Sequence, residues 1–107
     1  MSEAALASLV HFMRPAERIL AIVGAGLSQP SGIPTFQGNG KYFRGRESHE
    51  LACKATFEED PILVWTYYES MRQKTLSAMP NAGHRALTAL ARVKPKMLIV
   101  NQNIDGS

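Results

Sequence analysis

The pattern of apolar and polar residues divides the start of the chain into a helix and a strand. Residues 2–13 carry apolar side chains at helical spacing, with Ser2 as the capping residue and Pro15 just beyond the end. Residues 18–23 form an unbroken apolar run, which favours a strand covered on both faces, as in a parallel sheet. The pattern therefore predicts a helix that leads into a buried strand.

The second half of the chain predicts two longer helices and another strand. Asp60 caps a helix that begins with proline and runs to about residue 78, and Asn81 caps a helix that stops at Lys94-Pro95. Residues 97–100 form a second apolar strand, and polar residues follow it at once. Helical spacing defines the inward faces of the two helices as Val64, Tyr68, Met71 and Thr75, and as Ala86, Leu87, Leu90 and Val93. Because ligands of open parallel sheets bind at the carboxyl edge, we expect a site where the second strand ends.

The segment between the two strands is much longer than a crossover needs. Residues 24–48 are rich in Gly, Pro, Ser and Asn, which is typical of a loop, and residues 47–56 predict a short helix. We therefore expect the excess chain, residues 33–80, to cover another part of the protein or to recognise a ligand. The fold class is therefore α/β, with a parallel sheet and a helical and loop insertion between its first two strands.

Composition limits the classes of function. The 107 residues make one domain at most, and a net charge of +3 without a Lys/Arg run of five gives no indication of a nucleic-acid-binding arm. Cys53 is the one cysteine, which excludes an internal disulfide and a cysteine zinc site. No apolar run has the length of a membrane span, and residues 1–13 lack the features of a signal peptide. We therefore expect an intracellular protein with no nucleic-acid or membrane contact, its compartment left open.

The turn after the first strand is the first candidate site. Gly24-Ala25-Gly26 follows the strand and opens a helix, so backbone N–H groups and the positive helix end are available to a phosphate. Position 29 is Gln29, so the pattern G-x-G-x-x-G is not met. A nicotinamide dehydrogenase would also need an acidic residue at the end of a second strand, and residues 40–56 do not form such a strand.

Four motifs make the assignment more specific, and they occur in a fixed order. They are Gly-Ala-Gly-Leu-Ser at 24–28, Ser-Gly-Ile-Pro-Thr-Phe at 31–36, Asn-Ala-Gly-His at 81–84 and Gln-Asn-Ile-Asp-Gly at 102–106. Together they resemble the sirtuins, the NAD-dependent protein-lysine deacylases, from about residue 19 to residue 106. The resemblance implies a partial Rossmann-like sheet in a single incomplete domain, residues 1–107, in which 33–80 are the cofactor loop and helical insertion.

The resemblance also implies a set of NAD-binding residues: Gly24, Ala25, Gly26, Ser28, Ile33, Pro34, Phe36, Gln37, Gln102, Asn103, Ile104 and Asp105. Asn103 is the implied catalytic residue, on the ribose side of the nicotinamide, and Asp105 would hold the carboxamide, which needs an acceptor as well as donors. In the family reaction the acyl oxygen of a modified lysine attacks the ribose carbon, nicotinamide leaves and the acyl group ends on ADP-ribose. The implied partner is an acylated-lysine protein.

The chain departs from the family pattern in three places. The family usually has Arg where this chain has Gln37, and a neutral amide cannot pair with phosphate as a charge, so we expect weaker NAD binding. Asn101 replaces a common Thr, which is a milder change. The family's general-base His and its four zinc-binding cysteines lie beyond the position of Ser107, so we expect zinc only in that downstream part and no catalysis by this chain alone. None of the three histidines, His11, His49 and His84, stands in the motif of the missing base.

The candidate acyl pocket lies on the helix after residue 60. The branch of sirtuins that removes succinyl, malonyl and glutaryl groups carries Tyr-x-x-Arg there; Tyr68 matches the Tyr, but Met71 occupies the Arg position. Arg72 follows, about 100° further around the helix. Tyr68 and Arg72 are the candidate pocket residues, and the acyl preference stays open with a slight lean to the acidic branch.

Several residues also have purely structural interpretations. His84 is expected to bond near the start of its helix, Trp65 and Tyr67 to pack in the core, and His49-Glu50 with Cys53 not to form a zinc site. The alternative to a deacylase is a non-enzymatic remnant or regulatory fragment that binds NAD or ADP-ribose.

Overall fold

The two long strands pair as parallel neighbours, as the sequence predicts. In the computed structural model, which describes residues 2–36, 38 and 40–106, β1 (Leu20–Val23) lies beside β4 (Leu98–Asn101). Both strands therefore end at one edge of the sheet, where β1 continues into the short helix α2 (Ala25–Ser28) and a 3-10 turn (Gln29–Ser31). This is the partial Rossmann-like sheet of an α/β fold, with the helical and loop insertion between its strands.

The three longer helices begin at the capping residues that the sequence identifies. They are α1 (Glu3–Met13), α5 (Pro61–Ser77) and α6 (Ala82–Val93). The Ser2 hydroxyl accepts a hydrogen bond from Ala5 N at 3.1 Å, and the Asp60 carboxylate accepts one from Leu63 N at 3.1 Å. Each cap satisfies an N–H group that the first helical turn leaves unpaired.

The end of α6 is tied to the end of α1 by Lys94. Its ammonium donates hydrogen bonds to the backbone oxygens of Arg14 and Ala16, each at 2.7 Å. Carbonyl groups at a helix C-terminus carry negative partial charge, so a lysine is a favourable partner there. Lys94 therefore fixes the chain that leads into β1 against the chain that leads into β4.

The insertion contains a hairpin that the sequence pattern does not predict. β2 (Tyr42–Phe43) pairs antiparallel with β3 (Arg46–Glu47), and Arg44 and Gly45 form the turn with φ angles of 51° and 82°. Two positive φ values are typical of the two-residue hairpin turn that matches strand twist. The short helix predicted within 47–56 is confirmed as α3 (Ser48–Leu51), and a second helix that the pattern does not predict, α4 (Lys54–Glu59), follows it.

The most buried apolar side chains lie in this insertion and not beside the sheet. They are Ile33, Leu51, Val64 and Tyr67. The ring of Tyr67 packs edge-on against Phe43, with centroids 5.3 Å apart. The predicted inward face of α5 is confirmed at Val64 and wrong at Tyr68, because Tyr67 is 3% exposed whereas Tyr68 is 45% exposed. The expectation that Trp65 packs in the core is also wrong, since Trp65 is 68% exposed.

The sheet itself is open to solvent, which corrects the prediction of a strand covered on both faces. Leu20, Ile22 and Leu98 are 59%, 62% and 61% exposed. The apolar stripes of α1 and α6 likewise contain no buried residue. The radius of gyration is 17.7 Å, against about 13 Å for a compact domain of this length. An apolar run predicts that a strand forms. Whether the faces of that strand are buried depends on other elements, which the described residues do not supply.

Among the helices within the described ranges, none has the length and apolar character that a membrane crossing requires.

Candidate functional site

The ends of the two parallel strands are joined by Asn103. Its side-chain amide donates a hydrogen bond to the backbone oxygen of Gly24 at 2.9 Å, and its backbone N–H donates to Asn101 Oδ1 at 2.9 Å. The Gln102 N–H continues the ladder to Val23 O at 3.1 Å. The glycine turn and the polar segment after β4 therefore form one continuous edge, as the sheet topology predicts.

Asn81 holds the start of α6 against the turn after β1. Its Oδ1 accepts from the N–H groups of Gly83 and His84, while its Nδ2 donates to Leu27 O at 2.7 Å and to Ser31 Oγ at 2.9 Å. One amide side chain thus caps a helix and also holds the chain just before the 3-10 turn and at its last residue. The sequence pattern identified only the cap; the spare donors of the amide were the signal that Asn81 could do more.

His84 completes this arrangement and reaches Ser28. The Asn81 N–H donates to His84 Nδ1 at 3.0 Å, which makes Nδ1 the acceptor and leaves Nε2 as the donor in the neutral ring. Nε2 lies 3.4 Å from the hydroxyl of Ser28, which is 1% exposed. The structural role predicted for His84, bonding near the start of its helix, is confirmed.

A cavity of about 980 Å³ opens at this edge of the sheet. It brings together predicted site residues from three separate motifs: Ala25, Gly26, Ser28, Ile33, Pro34, Phe36, Gln102, Asn103, Ile104 and Asp105. Of the other predicted residues, Gly24 is tied to the site through Asn103, and Gln37 lies outside the described residues. The lining is mostly apolar, with a few polar groups at the strand ends, which is the usual composition of a small-molecule pocket.

The two glycines of the turn leave open space beside their backbone. A Cβ atom built on Gly24 or Gly26 would meet no atom of the described residues within 4 Å, apart from the immediate chain neighbours and the backbone of the same helix. Gly24 has an extended backbone with φ of −132°, and neither glycine has a positive φ. Among the described residues, neither packing nor backbone conformation requires glycine here, and the open space leaves room for the close approach of a ligand.

The opposite wall of the cavity comes from α5. Both candidate acyl-pocket residues, Tyr68 and Arg72, line it, and so do Tyr67, Met71, Thr75 and Leu76. Tyr67 lines the cavity and is also part of the buried core. Burial raises the pKa of its phenol, and the neighbouring Tyr68 raises it further. A hydrogen bond with Ser48 lowers this pKa and partly offsets the rise. The Tyr67 phenol therefore keeps its proton to a higher pH than an exposed tyrosine does.

No histidine lines this cavity among the described residues, which include all three histidines of the chain. His49 instead lies outside it, with Glu47 and Glu50, and their potential ligand atoms are within 4.8 Å of one another. The groups of this cluster already contact one another or a neighbour: Glu47 Oε2 lies 3.2 Å from His49 Nδ1, and Glu50 Oε2 pairs with Arg46 Nη2 at 3.4 Å. Cys53 donates to the backbone oxygen of His49 at 3.4 Å and is not among those ligand atoms.

Comparison with known proteins agrees with this geometry. The family model described as "Sir2 family" matches residues 24–107. The "NAD-dependent protein deacylase 2" of Pseudomonas aeruginosa is 41% identical over 110 residues, which cover 98% of this chain and 43% of that protein. The mitochondrial "NAD-dependent protein deacylase sirtuin-5" of Canis lupus familiaris is 40% identical over 94 residues, which cover 84% of this chain and 30% of that protein.

A parallel strand pair with a glycine turn and a polar segment at its carboxyl edge defines a partial Rossmann-like nucleotide-binding fold. Within that class the chain belongs to the Sir2 family. It spans less than half the length of the curated relatives it matches.

Proposed function

We propose that this chain forms the NAD-binding wall and the acyl pocket of an NAD-dependent protein-lysine deacylase. The observation that carries the proposal is the cavity, in which residues 24–28, 31–36 and 102–105 meet although they are far apart in the chain. The relatives whose names specify an NAD-dependent protein deacylase support the same function. The partner would be an acylated-lysine protein inside the cell.

The residues present fit NAD chemically. The open space beside Gly24 and Gly26 would admit a pyrophosphate to the backbone N–H groups of α2. Ile33, Pro34 and Phe36 would cover the nicotinamide and exclude water from the reacting carbon. The chemistry that bound NAD supplies to such an enzyme is a ribose carbon that accepts the acyl group as nicotinamide leaves.

The polar residues at the strand ends would orient the reacting groups. Asn103 uses its Nδ2 for Gly24, so its Oδ1 is the atom that would accept a hydrogen bond from a ribose hydroxyl. Asp105 would accept from the carboxamide of the nicotinamide. Because Gly24 fixes the Asn103 side chain, its geometry would be set before the ligand arrives, which reduces the ordering cost of binding.

A second function, binding of NAD or ADP-ribose without turnover, is favoured by one observation. No histidine lines the cavity among the described residues, so they offer no imidazole as a general base. For the chain by itself we therefore expect NAD binding without release of nicotinamide.

Calorimetric titration of the 107-residue chain with NAD tests the proposal. We expect saturable heat and a rise in the unfolding temperature, since a ligand that binds the folded state stabilises it. We expect no release of nicotinamide in the presence of an acetyl-lysine peptide, and release would contradict the binding-only function. Absence of both heat and thermal shift at millimolar NAD would refute the binding of NAD by this chain.

A further inference from the structure

We propose that the edge of the sheet opposite the candidate NAD site carries a second binding surface, which takes a short acidic peptide segment with one aliphatic side chain. The surface is a cavity of about 430 Å³ between the chain that follows α1 and the chain that follows α6, lined by residues 14–17 and 93–96. It shares no residue with the cavity at the carboxyl edge of the sheet, so it goes beyond the proposed function.

The second cavity lies where the two strands begin. Leu98 N donates to Ile19 O at 2.9 Å at this edge, whereas Asn103 bonds to Gly24 at the other edge. The four residues of β1 separate the two edges by about 13 Å. A peptide bound at residues 14–17 and 93–96 would therefore leave the candidate NAD site open.

The charge of this cavity is mainly positive. Arg14, Lys94 and Lys96 line it, and Glu17 is the one acidic residue of the described lining. Lys96 lies 3.4 Å from Glu17, and both side chains are more than half exposed, so a competing anion displaces this pair at little cost. Among the described residues, Arg14 has no ion-pair partner. A ligand with several carboxylates therefore finds cations in this cavity that are free or weakly held.

The helix ends at the cavity do not cancel this positive charge. Carbonyl groups at a helix C-terminus carry negative partial charge, and α1 and α6 both end here. The Lys94 ammonium donates to the backbone oxygens of Arg14 and Ala16, and Met97 N donates to Lys94 O at 2.9 Å. These carbonyls are thus already bonded, and the third N–H of the Lys94 ammonium remains for a ligand.

The surface between the charges is apolar. Pro15, Val93 and Pro95 line the cavity, and Val93 is 71% exposed. An aliphatic side chain in the cavity would remove this surface from water, while neighbouring carboxylates would accept hydrogen bonds from the cations. No aromatic residue is present in the described lining, so it offers no platform for the base stacking that single-stranded nucleic acids use. The cavity therefore fits an acidic peptide better than a nucleic acid.

Fluorescence anisotropy with a short labelled peptide tests the surface on the 107-residue chain. The peptide has one leucine among Asp and Glu residues, and a reference peptide has Asn and Gln at the acidic positions. We expect the acidic peptide to bind about tenfold more tightly than the reference, by a margin that falls as salt is added. No binding at millimolar peptide, or equal binding of the two peptides, would overturn the inference. An oligonucleotide of the same charge that bound as tightly as the acidic peptide would also overturn it.

A pair of double variants locates the binding surface. Arg14→Gln with Lys96→Gln removes two charges of the cavity, and we expect the affinity for the acidic peptide to fall about tenfold. Lys54→Gln with Lys74→Gln is the matched control: it removes the same net charge from exposed positions on α4 and α5 and should change the affinity less than about twofold. Lys94 stays in place, because it also holds the end of α1. Equal losses in the two double variants would show that the net charge of the chain attracts the peptide, which contradicts a site at this cavity.

Val93→Ser tests the apolar part of the surface. Because Val93 is largely exposed, we expect the variant to fold as the parent chain does, which circular dichroism checks. Its affinity for the leucine peptide should fall about threefold, while a peptide with glycine in place of leucine should bind as before. No loss with the leucine peptide, or the same loss with both peptides, would contradict the aliphatic contact.

Discussion

Asn103 donates its side-chain amide to the backbone oxygen of Gly24 at 2.9 Å, across the ends of two parallel strands. The two residues are 79 positions apart in the chain. One therefore belongs to the turn that would receive phosphate, and the other to the segment that would face ribose and nicotinamide. Because the bond joins them directly, displacement of either segment would move the other.

Asn81 should support the turn through its donors and not only through its helix cap. Asn81→Asp keeps an oxygen for Gly83 and His84 but replaces the donor to Leu27 and Ser31 with a negative charge. We expect a loss of about 1 kcal/mol in the free energy of unfolding, because two partly buried acceptors lose their donor. Chemical denaturation of the parent chain, Asn81→Asp and Asn81→Ala measures this free energy.

A role as a helix cap alone predicts a different order of stability for Asn81→Asp and Asn81→Ala. If Asn81 acted only as a cap, aspartate would be as good as asparagine and only alanine would destabilise the chain. Stability of Asn81→Asp equal to that of the parent chain would therefore contradict a role for the Nδ2 donors.

Gly26→Ala should separate ligand binding from folding. Nothing within the described structure fills the space beside Gly26, which lies in α2 with a helical backbone. Alanine is expected to stabilise the folded chain by about 0.5–1 kcal/mol, because glycine loses more backbone entropy on folding. The added methyl group would occupy the space proposed for pyrophosphate, so the affinity for NAD should fall at least tenfold, as measured by calorimetry.

Gly45→Ala is the matched control with the opposite pattern. Gly45 has a φ of 82° in the hairpin turn and does not line the cavity. We expect this variant to lose about 1 kcal/mol of stability with its intrinsic NAD affinity unchanged. Parallel loss of stability and affinity in Gly26→Ala would mean that the glycine serves the fold and not a ligand.

Gln37→Arg should tighten NAD binding if the loop after Phe36 meets phosphate. This prediction rests on the sequence, since Gln37 lies outside the described residues. A guanidinium makes charge-assisted and bidentate hydrogen bonds to phosphate, which a neutral amide cannot do. We expect an improvement of about tenfold in Kd that weakens with added salt.

Ala55→Arg controls for the change in net charge, because Ala55 is exposed on α4 and does not line the cavity. An equal gain in both variants would reflect the charge of the whole chain, and no gain in Gln37→Arg would remove this loop from the phosphate site.

Tyr67 should make stability fall at alkaline pH. Burial raises the pKa of Tyr67 in the folded chain above the ordinary tyrosine value of 10.0. The unfolded chain therefore loses this proton first, so the stabilisation is fully present below the unfolded pKa and is lost as pH rises through the folded pKa. Denaturation midpoints measured as the pH rises above 10.0 should show the loss.

Tyr67→Phe removes the ionisable group, so its midpoint should depend less on pH over this range. Tyr42→Phe is the matched control, because Tyr42 is 60% exposed. If Tyr67→Phe keeps the full alkaline loss, another group is responsible for it.

The parts of the fold that the sequence predicts are those set by local chemistry. Ser2, Asp60 and Asn81 each cap the helix that follows, because a short polar side chain reaches its own backbone within three residues. The parallel pairing of β1 and β4 also follows from the pattern, since two apolar runs separated by a long crossover favour it.

The features of the fold that the sequence does not predict depend on contacts between distant segments. The hairpin at Tyr42–Glu47 has two residues in each strand, too few for a visible alternation. Tyr67 and Tyr68 are adjacent aromatic residues of the same type, and packing on Phe43 decides which of them faces inward. The solvent exposure of Leu20 and Ile22 could not be predicted from their apolar character, because cover is a property of neighbouring elements.

At the candidate site, the motifs predicted which segments come together, but not the side-chain contacts that hold them there. The Asn103–Gly24 bond, the donors of Asn81 and the pairing of Arg72 with Glu69 are side-chain geometries that spacing does not encode. The roles proposed for the cofactor-binding and acyl-pocket residues remain predictions.

The most direct measurement of the central claim is an NMR titration of the ¹⁵N-labelled chain with NAD. We expect backbone amide shifts to change in residues 24–28, 31–36 and 102–105, with those of α1 unaffected. We also expect Gly26→Ala to abolish these changes at the same NAD concentration. Shift changes confined to other segments, or none at millimolar NAD in a folded chain, would contradict the claim that this edge of the sheet binds NAD.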